Sequence, residues 1–166
     1  VYYSGFVLPM NDQHQDYPAL VIANNILGSS GLSSRLGNRL RQKEGLSYSI
    51  RSQLTSSHLD KRAEFGVYAI SNPGNMKKVI KAIGEELQLL FDKGVTETEL
   101  EEAKQGYLQR QSLSRNSDRG LTSVLASTLD AERTMKYYEK RENAIKELTV
   151  ESVQAAIKKH LRPDRL

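Results

Sequence analysis

The sequence predicts an α+β fold, an antiparallel sheet with helices packed on one face. Three observations carry this. Apolar residues alternate with a period of two near residues 46–54 and 63–69, as half-buried strands do, and residues 1–8 are rich in β-branched and aromatic types. The longer stretches between and after them repeat their apolar residues every three to four positions, and several of those stretches open on a capping residue. At 166 residues, 38% of them hydrophobic, the chain is long enough to bury one core, and one domain is expected over residues 1–166.

Val1 to Leu8 is rich in β-branched and aromatic residues and stops at Pro9, so it reads as a strand followed by the turn Asn11-Asp12-Gln13. Asp16 is placed to cap a helix with Pro18 in its first turn, and Leu20, Ile22, Ala23, Ile26 and Leu27 form its stripe up to Gly28. After a loop Gly28-Ser29-Ser30-Gly31, a basic helix is expected from Leu32 to Glu44. Leu32, Leu36 and Leu40 form its inner side, Arg35, Arg39, Arg41 and Lys43 decorate the rest, and Gly45 is its stop. Leu46, Tyr48, Ile50 and Leu54 then mark the inner face of a second strand. Ala63, Phe65, Val67 and Ala69 mark a third, joined to it by the polar loop 56–61.

The turn Ser71-Asn72-Pro73-Gly74 leads to an amphipathic helix carrying Met76, Val79, Ile80, Ile83, Leu87 and Leu90, ending at Gly94. Thr96 and Glu99 spell a capping box for the next helix, with Leu100, Ala103, Tyr107 and Leu108. Asp118 is read as the cap of a helix containing Leu121, Val124, Leu125 and Leu129. Residues 132–148 are expected to be helical with a poorer pattern, and Thr149 caps a last helix that Pro163 closes.

Composition removes several function classes. The absence of cysteine excludes disulfides, thiolate ligands and cysteine nucleophiles. No apolar run reaches the roughly 18 residues of a membrane span. The net charge of +4 arises from interleaved signs, and no RNA-type aromatic motif accompanies the basic helix, so no nucleic-acid partner is expected. No Gly-x-Ser-x-Gly elbow is present to expose a serine nucleophile, and the Gly28–Gly31 loop lacks dinucleotide spacing and a phosphate-loop lysine. Glu85-Glu86 and Glu101-Glu102 are expected on solvated helix faces. His14, His58 and His160 stand far apart without a neighbouring ligand pattern, which predicts surface histidines and no metal on this chain.

Four blocks carry a family likeness: Asp16-Tyr17-Pro18-Ala19-Leu20, Ile26-Leu27-Gly28, Ser33-Ser34-Arg35-Leu36, and Leu40 through Ser49 with its Arg41-Gln42-Lys43-Glu44-Gly45-Leu46-Ser47-Tyr48 core. With Phe91 to Leu100, Ala103-Lys104, and Leu148-Thr149 through His160-Leu161-Arg162-Pro163, they make the chain resemble the pitrilysin/insulinase family of zinc metallopeptidases. Members of that family pair two copies of an α+β domain, one bearing an inverted His-x-x-Glu-His zinc motif and the other lacking it. This chain resembles the second copy.

The resemblance implies a non-catalytic domain that helps enclose a substrate chamber, binds peptide, and completes the active site of a separate zinc-bearing domain, in the same chain or a partner subunit. It also implies that Arg41 and Tyr48 reach toward bound peptide, that Gly28, Ser29, Ser30 and Gly31 form a peptide-contacting loop, that zinc sits on the partner domain, and that a final strand follows this stretch of a longer chain. Bacterial relatives of this style suggest the periplasm. The alternative is an assembly subunit without a role in proteolysis. Read from the residues alone, Tyr48 merely continues the apolar face of Leu46 and Ile50, and Arg41 is a solvated helix-end cation.

Overall fold

Alternating burial is what makes the sheet one-sided. In the computed structural model, which describes residues 1–165, β1 (Tyr2–Leu8), β2 (Ser49–Ser56) and β3 (Ala63–Ile70) form an antiparallel sheet in the order β1-β3-β2. Phe65, Val67 and Ala69 of β3 and Ile50 of β2 are buried on the inner face. Tyr3, Tyr68 and Arg51 lie in one register row on the other. The inner face of β2 also includes Ser52, buried and donating its Oγ to the Asn24 carbonyl at 3.1 Å.

The covering layer comprises α1 (Tyr17–Asn24), α2 (Met76–Lys93) and α6 (Val150–His160), with α3 (Glu97–Arg115), α4 (Asp118–Asp130) and α5 (Lys136–Lys146) beside them. Leu27, Leu36, Leu40, Ile83, Leu87, Leu90, Leu100, Ile145 and Ile157 meet Phe65 in one core. Each such side chain contributes roughly 1.5–3 kcal/mol by leaving water. The box predicted at α3 forms, Thr96 and Glu99 satisfying each other's backbone N–H, and the predicted cap Thr149 forms a further box with Ser152 at α6.

Three local expectations are corrected. Leu32 is not on the inner stripe, because a short 3₁₀ turn occupies Gly31–Ser33 and leaves it exposed. The helix starts only after Ser34, whose Oγ accepts from the Gly37 N–H at 3.1 Å. That helix then runs as a wide π-helix over Gly37–Lys43. Ser117, not Asp118, caps α4 by accepting from the Gly120 N–H. Finally, Glu85 and Glu86 do not both point to bulk water, since each pairs with Arg39.

Candidate functional site

The corner between the π-helix and β2 is pinned by its backbone. Gly45 takes φ +61, the left-handed conformation glycine allows at a helix stop. The Leu46 and Ser47 N–H groups both donate to the Leu40 carbonyl, at 2.8 and 3.2 Å. Ser47 Oγ donates to Ile70 O at 2.7 Å, Ser71 Oγ to Leu46 O at 2.6 Å, and the Tyr48 N–H to Ile70 O at 3.0 Å. This fixed frame presents Tyr48 with its side chain outside: the residue is 79% exposed. The apolar-face reading of Tyr48 therefore fails, because the strand begins one residue later and its ring escapes the core. Arg41, also exposed, places its guanidinium carbon 5.7 Å from the Tyr48 ring centroid. Such a contact contributes about 0.5–1 kcal/mol at an exposed site and orients both groups.

The basic helix sorts its cations into anchors and free donors. Arg35 makes a two-pronged pair with Glu99, both contacts 2.7 Å, and donates to Gly94 O at 2.8 Å. Burial raises the Glu99 carboxyl, but the hydrogen bonds from Arg35 and the Thr96 N–H outweigh it and hold the group below the usual carboxylate range. Arg39 pairs with Glu44 at 2.7 Å, Glu86 at 3.1 Å and Glu85, and holds the Glu85 carboxyl below its ordinary value. Arg41 and Lys43 have no ion-pair partner among the described residues. In the sequence all four cations look alike, because the acids that claim Arg35 and Arg39 lie mostly 46–64 residues away.

The Gly28–Gly31 stretch is only partly a loop. Asn25–Ser29 extends α1 as a π-helical turn in which Gly28 is buried against β2. A Cβ there would stand 2.5 Å from the Ser52 backbone nitrogen. Ser29 is exposed, Ser30 and Gly31 are half-buried, and Ser30 and Ser33 line a cleft of about 150 Å³ together with Asn25, Arg35, Glu99 and Arg110.

Two histidines meet that the sequence kept apart. His160 Nε2 lies 2.7 Å from Asp16 Oδ2, the Asp16 N–H donates to His14 Nδ1 at 3.1 Å, and the two rings cross edge to face with centroids 5.4 Å apart. The expectation of isolated surface histidines is corrected for this pair, with His160 only 10% exposed at its side chain. It also explains why Asp16 occupies the cap position of α1 without capping: its carboxylate is taken by His160 and Lys159. Burial raises that carboxyl, but the hydrogen bonds from Lys159 and His160 leave it below its ordinary value.

Comparison with known proteins places this geometry in context. A family model described as the peptidase M16 inactive domain matches residues 2–107. An uncharacterized zinc protease from Streptomyces coelicolor is 39% identical over 82 residues, 49% of this chain and 17% of that protein. The crystal structure of the peptidase M16 inactive domain from Pseudomonas fluorescens superposes with a TM-score of 0.81 at 27% identity, covering 98% of this chain and 39% of that one. A protease from Helicobacter pylori superposes at 0.84 with 21% identity over 98% of this chain and 38% of that one, a likeness of fold alone. The chain thus spans well under half the length of these proteins. The resemblance drawn from residues 16–49 and 91–104 falls inside the matched region, and its last block, 148–163, lies outside it. No inverted His-x-x-Glu-His motif occurs in the sequence, so its histidines do not fit the family's catalytic zinc site.

Proposed function

The chain belongs to the peptidase M16 inactive-domain family, and from that premise we propose that it forms one wall of the substrate chamber of a zinc endopeptidase. On this reading Arg41 and Tyr48 face peptide held at the zinc of a separate catalytic domain. The observation that supports it most is the pairing of an exposed guanidinium and an exposed phenol on a backbone fixed by five hydrogen bonds. Donors held by a rigid frame need no reorganisation when they meet an oxygen.

Zinc on the partner domain supplies an activated water for attack on the peptide carbonyl. The part assigned to this chain is donation: the Tyr48 hydroxyl and the Arg41 N–H groups hydrogen-bond the carbonyl oxygen and retain it as negative charge develops. Arginine carries only donors and cannot lose its charge near neutral pH, so it suits an oxygen that becomes anionic.

The competing role as an assembly subunit makes a different demand, that Tyr48 be covered by another protein surface. A photoreactive phenylalanine analogue at position 48 of the assembled protease separates the two. Crosslinking to a bound, uncleaved peptide is expected. Crosslinking to another subunit in equal yield with and without peptide would overturn the chamber reading.

A further inference from the structure

We propose that His14, Asp16 and His160 form a binding site for a divalent transition-metal ion of the zinc type. It lies at the seam where the loop after β1 meets the end of α6. One ligand atom from each side chain, two imidazole nitrogens and a carboxylate oxygen, lie within 4.8 Å of one another. The donors come from positions up to 146 residues apart in the chain, so the fold and not local sequence assembles them.

Their chemistry selects the ion. Imidazole with one carboxylate suits zinc and its neighbours rather than calcium or magnesium, which take oxygen sets. With metal–nitrogen and metal–oxygen distances of about 2.0–2.2 Å, tetrahedral donors stand roughly 3.3 Å apart. Closure of the widest pair therefore needs at most about 1.5 Å of side-chain movement, within reach of rotation on the half-exposed His14. An ion entering here displaces two hydrogen bonds, since His14 Nδ1 accepts from the Asp16 N–H at 3.1 Å and His160 Nε2 pairs with Asp16 Oδ2 at 2.7 Å. The negative end of the α6 dipole falls at His160 and favours a cation there.

Those two bonds oppose the ion, and so does Lys159. Lys159 Nζ donates to Asp16 Oδ2 at 2.8 Å, and an ammonium there competes for the carboxylate. Lys159 is 56% exposed at its side chain and free to swing into water. This gives the site a signature that a plain salt-bridge clasp lacks: removing the lysine strengthens metal binding although it weakens the clasp.

The test is calorimetric titration of Zn²⁺ into the 166-residue chain and its variants, with circular dichroism to verify folding. One ion per chain is expected. Loss of second-shell partners alone lowers metal affinity roughly 10–100-fold, so loss of a ligand in His14→Gln is expected to cost about a hundredfold. Lys159→Gln is expected to raise affinity roughly threefold, the scale of one exposed ion pair. His58→Gln, at a histidine outside the cluster, leaves the titration unchanged. His14 sits in a turn outside the core, so its variant keeps the fold and the test does not depend on His160→Gln. Absence of stoichiometric binding, or binding unaltered in His14→Gln, overturns the site. These residues are distinct from Arg41 and Tyr48, so either outcome leaves the chamber reading to its own test.

Discussion

Two corners of the molecule use charged side chains to opposite ends. At the helix-to-strand corner the side chains are arginines and a phenol. Arg35 and Arg39 are bound to acids from α2, α3 and Glu44, while Arg41 and Tyr48 stand clear, beside each other and without a hydrogen-bond partner for their side chains among the described residues. At the seam between the β1 exit loop and α6 the side chains are two imidazoles and a carboxylate, the donor types of a transition-metal site, hydrogen-bonded to one another. The first corner suits an oxygen and the second a cation. The contrast teaches that charge counts along this basic chain say little about partners. What matters is which charged groups the fold has already paired.

The frame beneath the first corner offers the largest effect. Gly28→Val drives a side chain into the Ser52 backbone, and a destabilisation of about 3 kcal/mol in chemical denaturation is expected, with the corner lost as β2 is displaced. Glu99→Ala removes the anchor of Arg35 and the second half of the α3 capping box. A loss of about 2 kcal/mol is expected, measured the same way.

Acid sharpens the comparison, because both corners contain a carboxylate held below its ordinary value, Glu99 in one and Asp16 in the other. A carboxyl whose folded pKa is depressed adds stability that is fully present above its unfolded value, about 3.9 for Asp and 4.3 for Glu, and lost as pH falls through the folded value. Thermal melts are therefore expected to drop from about pH 5 downward, and Asp16→Asn to remove part of that slope. The smallest effect is expected at Tyr48→Phe, within about 0.5 kcal/mol of the parent, since the hydroxyl has no partner among the described residues and the ring is exposed. A large stability loss there would mean that the tyrosine is a structural element after all.

The elements were legible wherever one period dominated. The capping box at Thr96, the cap at Thr149, the stop at Gly45, the inner face of β3 and Ile50 on that of β2 follow from local rules and appear in the structure. What local rules could not give was long-range pairing. Ser52 stands in the inner-facing register of β2, but nothing local shows that the Asn24 carbonyl takes its hydroxyl, and Glu86 looks solvated until Arg39 reaches it. His14 and His160 are adjacent only because α6 returns to the start of α1. Arg41 and Tyr48 were found through family resemblance, since the residues alone favoured a plain strand tyrosine, and no pattern in the sequence predicts that the ring escapes the core. Helix α4 is the counterexample to periodicity: its leucines repeat as a core stripe would, yet Leu129 is 80% exposed and Thr128 is the residue it buries.

The central claim is that Arg41 and Tyr48 donate to peptide at a zinc held elsewhere. It is tested most directly by steady-state cleavage of a quenched fluorescent peptide by the assembled protease, with zinc content measured on the same samples. For Tyr48→Phe a fall in kcat/KM of about a hundredfold is expected at unchanged zinc, the scale of losing one oxyanion donor. Arg41→Gln is expected to fall in the same direction. Turnover unchanged in both variants, or peptide cleavage by this chain without the zinc-bearing domain, would contradict the account.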